Sequence, residues 1–486
     1  MYSPKQYMLL LLSSIFIAGC SSKPSQPFHT ILGADNWGYP GDVTTITSDI
    51  HVDGLHVRVV KTENSQCVNG FSSHIELSGP IGPDSAFVVD KLLDELEHCV
   101  DKDTGTTYSR NIFLNSPGGY LLYGFNMGVV FRDQQMTTIV SKGQQCASSC
   151  AIAFLGGKFR NMHNEGELLF HAPYYRKNSR EMICQSREES STLRNYYDSM
   201  LDSEDSRRLF DRTMSQCSTT EGWTVNSDAA GLYGITGSSN SINIFNDSNS
   251  AALLAFELSD LGSNQQEHLR IAKKLFSHIP AESNMYSEAK VMEVLIDYEL
   301  KQNLDDIGQR ATQAGTSLIN KNDLSELADD DIDMALELFT IAIETNYLPA
   351  YVRLGYAYKL IPAIQDTQQA KVWFEKAVSE GNYDIARVEL GIIERGNERY
   401  KEALDWFDAA SISELPNVAG YAFAMIGHMF EIGDGVPKSL DKAIENYTQA
   451  AKLGHKWSVE RLIHHYQSIN NATEQAYWQD VLKALS

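Results

Sequence analysis

A chain of 486 residues is long enough for about two to four domains, each with its own core. At 43% hydrophobic and 21% charged residues the composition is that of an ordinary globular protein. A formal charge of −23 excludes a nucleic-acid partner, because the clustered Lys and Arg that neutralise phosphates are missing.

The N-terminus reads as a secretory address. Lys5 precedes an apolar run, Met8 to Ile17, that is too short to anchor stably across a bilayer, and small residues lead to Cys20. Ile17-Ala18-Gly19-Cys20 resembles the lipobox of a bacterial lipoprotein signal. That resemblance implies a signal at residues 1–19, a lipidated Cys20 and attachment to the cell envelope. Ser21 in place of an aspartate favours the outer membrane, facing the periplasm. The remaining cysteines, Cys67, Cys99, Cys146, Cys150, Cys184 and Cys217, are then candidates for disulfides in an oxidising compartment. All precede residue 220, and the sequence does not choose among their pairings. Cys146 and Cys150 have metal half-site spacing but no second cluster, so no metal is expected.

Residues 20–69 read as a tether and an N-terminal β segment. Turn formers at Gly33, Gly38, Pro40 and Gly41 lead to an alternating stretch, His51 to Val60, that predicts a strand or hairpin. A strand is expected at His74 to Leu77, a helix over Ala86 to Cys99, and a strand at Asn111 to Asn115 running into Ser116-Pro117-Gly118-Gly119. A helix at Leu121 to Asp133 and a strand at Thr137 to Val140 follow. Then comes GQQCASSCAIAFLGG, Gly143 to Gly157, where a small-residue turn, a serine and an apolar helix follow one another. This is how a chain presents a hydroxyl at a helix N-terminus. The alternation of strand and helix predicts a parallel sheet with crossover helices.

FLNSPGGY (Phe113 to Tyr120), GQQCASSCAIAFLGG and ELLFHAP (Glu167 to Pro173) resemble, in order and spacing, the ClpP-type serine peptidases of the ClpP/crotonase superfamily. The resemblance implies an α/β ClpP-like domain over residues 70–236. It makes Ser148 the nucleophile and His171 the base. The oxyanion hole would come from the backbone N–H of Ser149 and that of Gly118 or Gly119. The carboxylate behind the histidine falls at Glu221 if one residue of slip is allowed; Asp211 and Asp228 match less well. A lysine base, as in related signal peptide peptidases, would have to come from Lys142 or Lys158, but His171 stands in the family's frame. No cofactor is implied. An ATP-driven unfoldase partner is not expected in an ATP-free compartment, nor is acyl-coenzyme A expected as a substrate there.

Residues 237–250 are small and polar and read as a linker. Residues 251–330 read as helical, either degenerate repeats or a cap, and 331–486 as an all-α solenoid. The unit A-x-x-x-[FY]-x-x-A recurs at Ala335/Phe339/Ala342, Ala370/Phe374/Ala377, Ala403/Phe407/Ala410 and Ala443/Tyr447/Ala450. With Leu354-Gly355, Leu390-Gly391 and Ile426-Gly427 these motifs resemble the Sel-one-like repeat, a relative of the tetratricopeptide repeat. That resemblance implies a surface for binding peptides or proteins. Two functions are therefore expected to compete: an envelope serine hydrolase with a substrate-recruiting or partner-recruiting solenoid, and a non-catalytic envelope adaptor that keeps the fold.

Overall fold

The computed structural model describes residues 44–176, 182–217, 222–238, 243–261, 266–320 and 323–485; the signal, Cys20 and most of the tether lie outside them. The chain divides into two compact units, Met1–Leu300 and Lys301–Ser486. Among the described residues no helix is long and apolar enough to cross a membrane.

The first unit opens with a hairpin, β1 (Thr44–Val52) and β2 (Leu55–Glu63). Asp53 and Gly54 turn the chain with φ of 51° and 87°, the two-residue geometry whose twist matches that of the strands. Leu55, Val57 and Val59 point to the core, as the strand period requires. β3 (Phe71–Ser78) pairs antiparallel with β2 and parallel with β4 (Asn111–Asn115). Helix α1 (Ser85–Glu95) crosses from β3 to β4, and α2 (Leu121–Asp133) from β4 to β5 (Thr137–Val140). α1 stops short of the expected limit at Cys99, because Cys99 is drawn into a disulfide with Cys67.

β6 (Gln145–Ala147) leaves the main sheet and α3 (Ser149–Phe154) follows it directly. β7 (Phe159–Met162) returns to pair parallel with β5. β8 (Glu167–Phe170) pairs parallel with β6, so a second, small sheet begins beside the first. β9 (Tyr174–Arg176) and β10 (Met182–Cys184) form a hairpin, and α4 (Ser191–Met200) and α5 (Ser203–Met214) follow. β11 (Trp223–Val225) joins the small sheet antiparallel to β8, α6 (Ser227–Leu232) succeeds it, and β12 (Gly237–Ser238) closes the edge of the main sheet on β7. The main sheet therefore has the order β1-β2-β3-β4-β5-β7-β12, with the expected parallel centre but antiparallel margins.

The stretch expected as a linker is already structured at both ends, as β12 and as the start of α7 (Ser248–Leu261). α7, α8 (Gln266–Ser277) and α9 (Tyr286–Leu300) belong to the first unit. Their apolar faces enter the sheet domain's core through Leu254, Leu258, Leu275 and Phe276. Lys274 of α8 bridges Asp90 of α1 at 3.1 Å and Asp133 of α2 at 2.7 Å.

The second unit is helical throughout its regular structure. Successive helices pair: Ile307–Ile319 with Asp329–Glu344, Pro349–Leu360 with Thr367–Gly381, Asp384–Gly396 with Tyr400–Ser411, Pro416–Ile432 with Leu440–Lys452, and Lys456–Ser468 with Ala472–Ala484. The repeated Ala and aromatic positions are buried. Each aromatic lies against a glycine of the preceding helix. A Cβ on Gly315, Gly355, Gly391 or Gly427 would stand 2.9, 2.5, 2.6 or 2.9 Å from the ring of Phe339, Phe374, Phe407 or Tyr447 respectively. Glycine and ring are one packing unit, which lets the paired helices approach closely.

Candidate active site

The two sheets meet at β6. Ser116 N–H donates to Gln145 O at 2.9 Å, Ala147 N–H donates to Ser116 O at 2.9 Å, and Ser148 N–H donates to Leu169 O of β8 at 2.8 Å. The turn from β6 into α3 is thus held by the strands on both sides. Ser148 sits at its apex with φ 56° and ψ −125°, a conformation that is costly for a residue with a Cβ. It precedes the first residue of α3 but makes no capping bond with its side chain.

Its hydroxyl instead meets His171. Ser148 Oγ and His171 Nε2 are 2.9 Å apart. On the other side of the ring, His171 Nδ1 lies 2.9 Å from the carbonyl oxygen of Ala172, which can only accept. Nδ1 therefore carries the proton, and Nε2 offers its lone pair to the Ser148 hydroxyl. Burial lowers the pKa of His171, with the Ala172 hydrogen bond opposing it, so the neutral ring is favoured. β8 sets this position: its last residue, Phe170, is buried against Trp223 of β11, and His171 follows at the strand's end.

The glycine turn stands over the serine. Gly118 has φ 93°, and a Cβ there would fall 2.4 Å from Ala147 O and 2.8 Å from Ser148 Cβ, so only glycine fits. The Gly118 N–H donates to Ser116 Oγ at 3.0 Å. The N–H of Ser149 is the first of α3, where the helix dipole favours negative charge. A cavity lined by Gly119, Leu121, Ser148, Ile152, Phe170, His171, Pro173 and Leu193 opens at this point.

The six remaining cysteines form Cys67–Cys99, Cys146–Cys150 and Cys184–Cys217. Glu221 lies outside the described residues. Asp211 is ion-paired with Arg187, and Asp228 is exposed in the first turn of α6. Lys142 is paired on the surface with Glu165 at 3.0 Å.

Arg132 is a residue that sequence reasoning does not single out. It is fully buried and donates to the carbonyls of Leu155, Gly156, Gly157 and Met200 at 3.2, 2.9, 3.3 and 2.9 Å. It thereby collects the oxygens at the C-terminal end of α3 and fixes the short helix from behind. The available signal is a lone arginine in an apolar helix, FNMGVVFRD.

Residues 348–382 and 421–455 match the family model of the Sel1 repeat. No curated protein matches the chain. Among solved structures the chain is similar to a Sel1 repeat protein from Oxalobacter formigenes, at 17% identity over 50% of this chain and 89% of that one, with a TM-score of 0.29. It is similar to c5321, a protective antigen of uropathogenic Escherichia coli with an SLR fold, at 18% identity over 49% and 69% of the two chains (TM-score 0.24). It is also similar to a mutant of the 1510-N membrane-bound stomatin-specific protease, at 14% identity over 33% and 75% (TM-score 0.27).

Proposed function

We propose that the first unit is a serine hydrolase of peptidase type, joined to a protein-binding repeat unit in a lipoprotein of the bacterial envelope. The observation that carries the hydrolase reading is the 2.9 Å approach of Ser148 Oγ to His171 Nε2, with the ring in the tautomer that accepts a proton. In this mechanism Oγ attacks the acyl carbon as its proton passes to Nε2. The charge on the acyl oxygen is met by the N–H groups of Ser149 and Gly119; Gly118 shapes the turn, since its own N–H is bound to Ser116. Nε2 then gives its proton to the leaving amine. Water repeats the cycle on the acyl-serine and frees the enzyme.

A fluorophosphonate probe tests this directly. The native protein is expected to be labelled, Ser148→Ala to lose all labelling, and His171→Ala to lose about 100-fold or more in rate. A folded native protein that is not labelled would sink the hydrolase reading in favour of the adaptor. Because Ala172 already fixes the tautomer, Glu221→Gln is expected to cost less than His171→Ala. Cys20→Ser is expected to move the protein from the membrane fraction to the soluble envelope fraction, and unchanged fractionation would refute the lipid anchor.

The repeat unit is assigned to protein binding on the matched Sel1 repeats, an architecture whose stacked helices present an extended surface. A peptide or protein held there would be the substrate or the regulatory partner of the hydrolase.

A further inference from the structure

The turn that carries Ser148 is covalently closed. Cys146 lies in β6 and Cys150 in α3, and their disulfide makes a ring with Ala147, Ser148 and Ser149 between them. The ring holds the nucleophile and one of the N–H groups assigned to the oxyanion. Both cysteines are fully buried. The other two disulfides have sequence separations of 32 and 33 and tie distant segments together, whereas this one has a separation of 4. A loop so short removes the least freedom from the unfolded chain, so its effect falls mainly on native geometry. That geometry includes the unfavourable φ of 56° at Ser148. The strands flanking the turn bond to it through Ala147 N–H to Ser116 O and Ser148 N–H to Leu169 O, and Ile152 N–H of α3 donates to Ser148 O at 3.2 Å. The disulfide adds a covalent tie between β6 and α3.

We propose that Cys146 and Cys150 are positioning residues. Their disulfide holds Ser148 in the conformation that aims Oγ at His171 and the Ser149 N–H at the acyl oxygen, and its reduction switches the site off. The proposal rests on the acyl-transfer reading and names a control over that site. The reductant is a dithiol. Its thiolate attacks one sulfur and breaks the S–S bond, giving a mixed disulfide and one cysteine thiolate, which takes up a proton. The second thiol of the reductant then closes on the first, releasing the other cysteine. Two electrons pass to the protein and the reductant leaves as its disulfide. Since neither sulfur is exposed, the attack requires local opening of the turn.

The test uses the full chain and two readouts. Imidazole nitrogen NMR of His171 is titrated in the oxidised protein, after treatment with a dithiol, and in the Cys146→Ala/Cys150→Ala variant, and fluorophosphonate labelling is timed in each. Mass spectrometry identifies the bridge that has been reduced, and a Cys67→Ala/Cys99→Ala variant serves as control. Opening the 146–150 bridge is expected to shift the His171 titration and slow labelling about 100-fold, the order of loss for an oxyanion donor. Reoxidation of the dithiol-treated protein is expected to restore both, which irreversible unfolding would not allow. An unchanged His171 titration after the bridge opens would overturn the proposal. If oxidised protein is unlabelled while His171 still responds to reduction, acyl transfer falls and the positioning role stands. If both redox forms label equally, the reverse holds.

Discussion

Burial lowers the pKa of His171 from its ordinary value of 6.5, and the bond to Ala172 only partly offsets it. The ring is therefore neutral, and able to take the Ser148 proton, at every pH above that lowered value. Labelling of Ser148 is expected to hold steady through pH 6.5 and to fail only as pH drops through the folded pKa; an acid limb centred above 6.5 would contradict this. The same shift acts on stability. The unfolded chain takes up the proton first, so native stability present above pH 6.5 is expected to decline below it, a slope that His171→Gln should reduce in urea titrations. Arg132 carries a different kind of weight. Arg132→Met would leave the buried carbonyls of Leu155, Gly156 and Met200 without this donor, while Gly157 O keeps its bond from Arg160 at 3.1 Å. Its cost is expected to exceed about 3 kcal/mol, measurable as a fall in the urea midpoint, because each buried orphan costs about 1–3 kcal/mol.

At the level of elements, the repeat unit depends on ring against glycine. Phe374 is fully buried and fills the space left by Gly355, so Phe374→Ala is expected to cost about 3–5 kcal/mol in the denaturation of the helical unit. Gly391→Leu is expected to be as harmful from the other side, since even a Cβ there would lie 2.6 Å from Phe407. A variant as stable as the parent would show that the pair is not the unit of packing. Both positions are legible in the sequence because a 33- to 40-residue recurrence repeats the same local demand. The limits of β4, α2 and β5 are legible for a related reason: the hydrophobic period changes where the chain turns. The Ser148 and His171 pair is legible only through the order of its motifs, since 23 residues separate them and no local pattern brings β8 beside β6. The role of α7, α8 and α9 is not legible. An amphipathic helix displays an apolar face without stating which core will receive it, and here that core belongs to the sheets.

At the scale of the molecule, the boundary of the first unit lies at Leu300, beyond the polar stretch after Ile235. A fragment of residues 44–300 is expected to melt cooperatively and remain monodisperse in size-exclusion chromatography. One ending at residue 236 is expected to aggregate, because it bares the core positions that Leu254, Leu258, Leu275 and Phe276 fill. Equal behaviour of the two fragments would place the boundary earlier. The bridge from Lys274 to Asp90 and Asp133 also bears on the order of events during synthesis. Ser148 and the cysteines around it leave the ribosome well before α8, yet α2, whose Arg132 braces the nucleophile helix, is secured from behind by α8. The complete brace behind the serine therefore requires the chain through α8, and a product cut short before Lys274 would carry the serine without it.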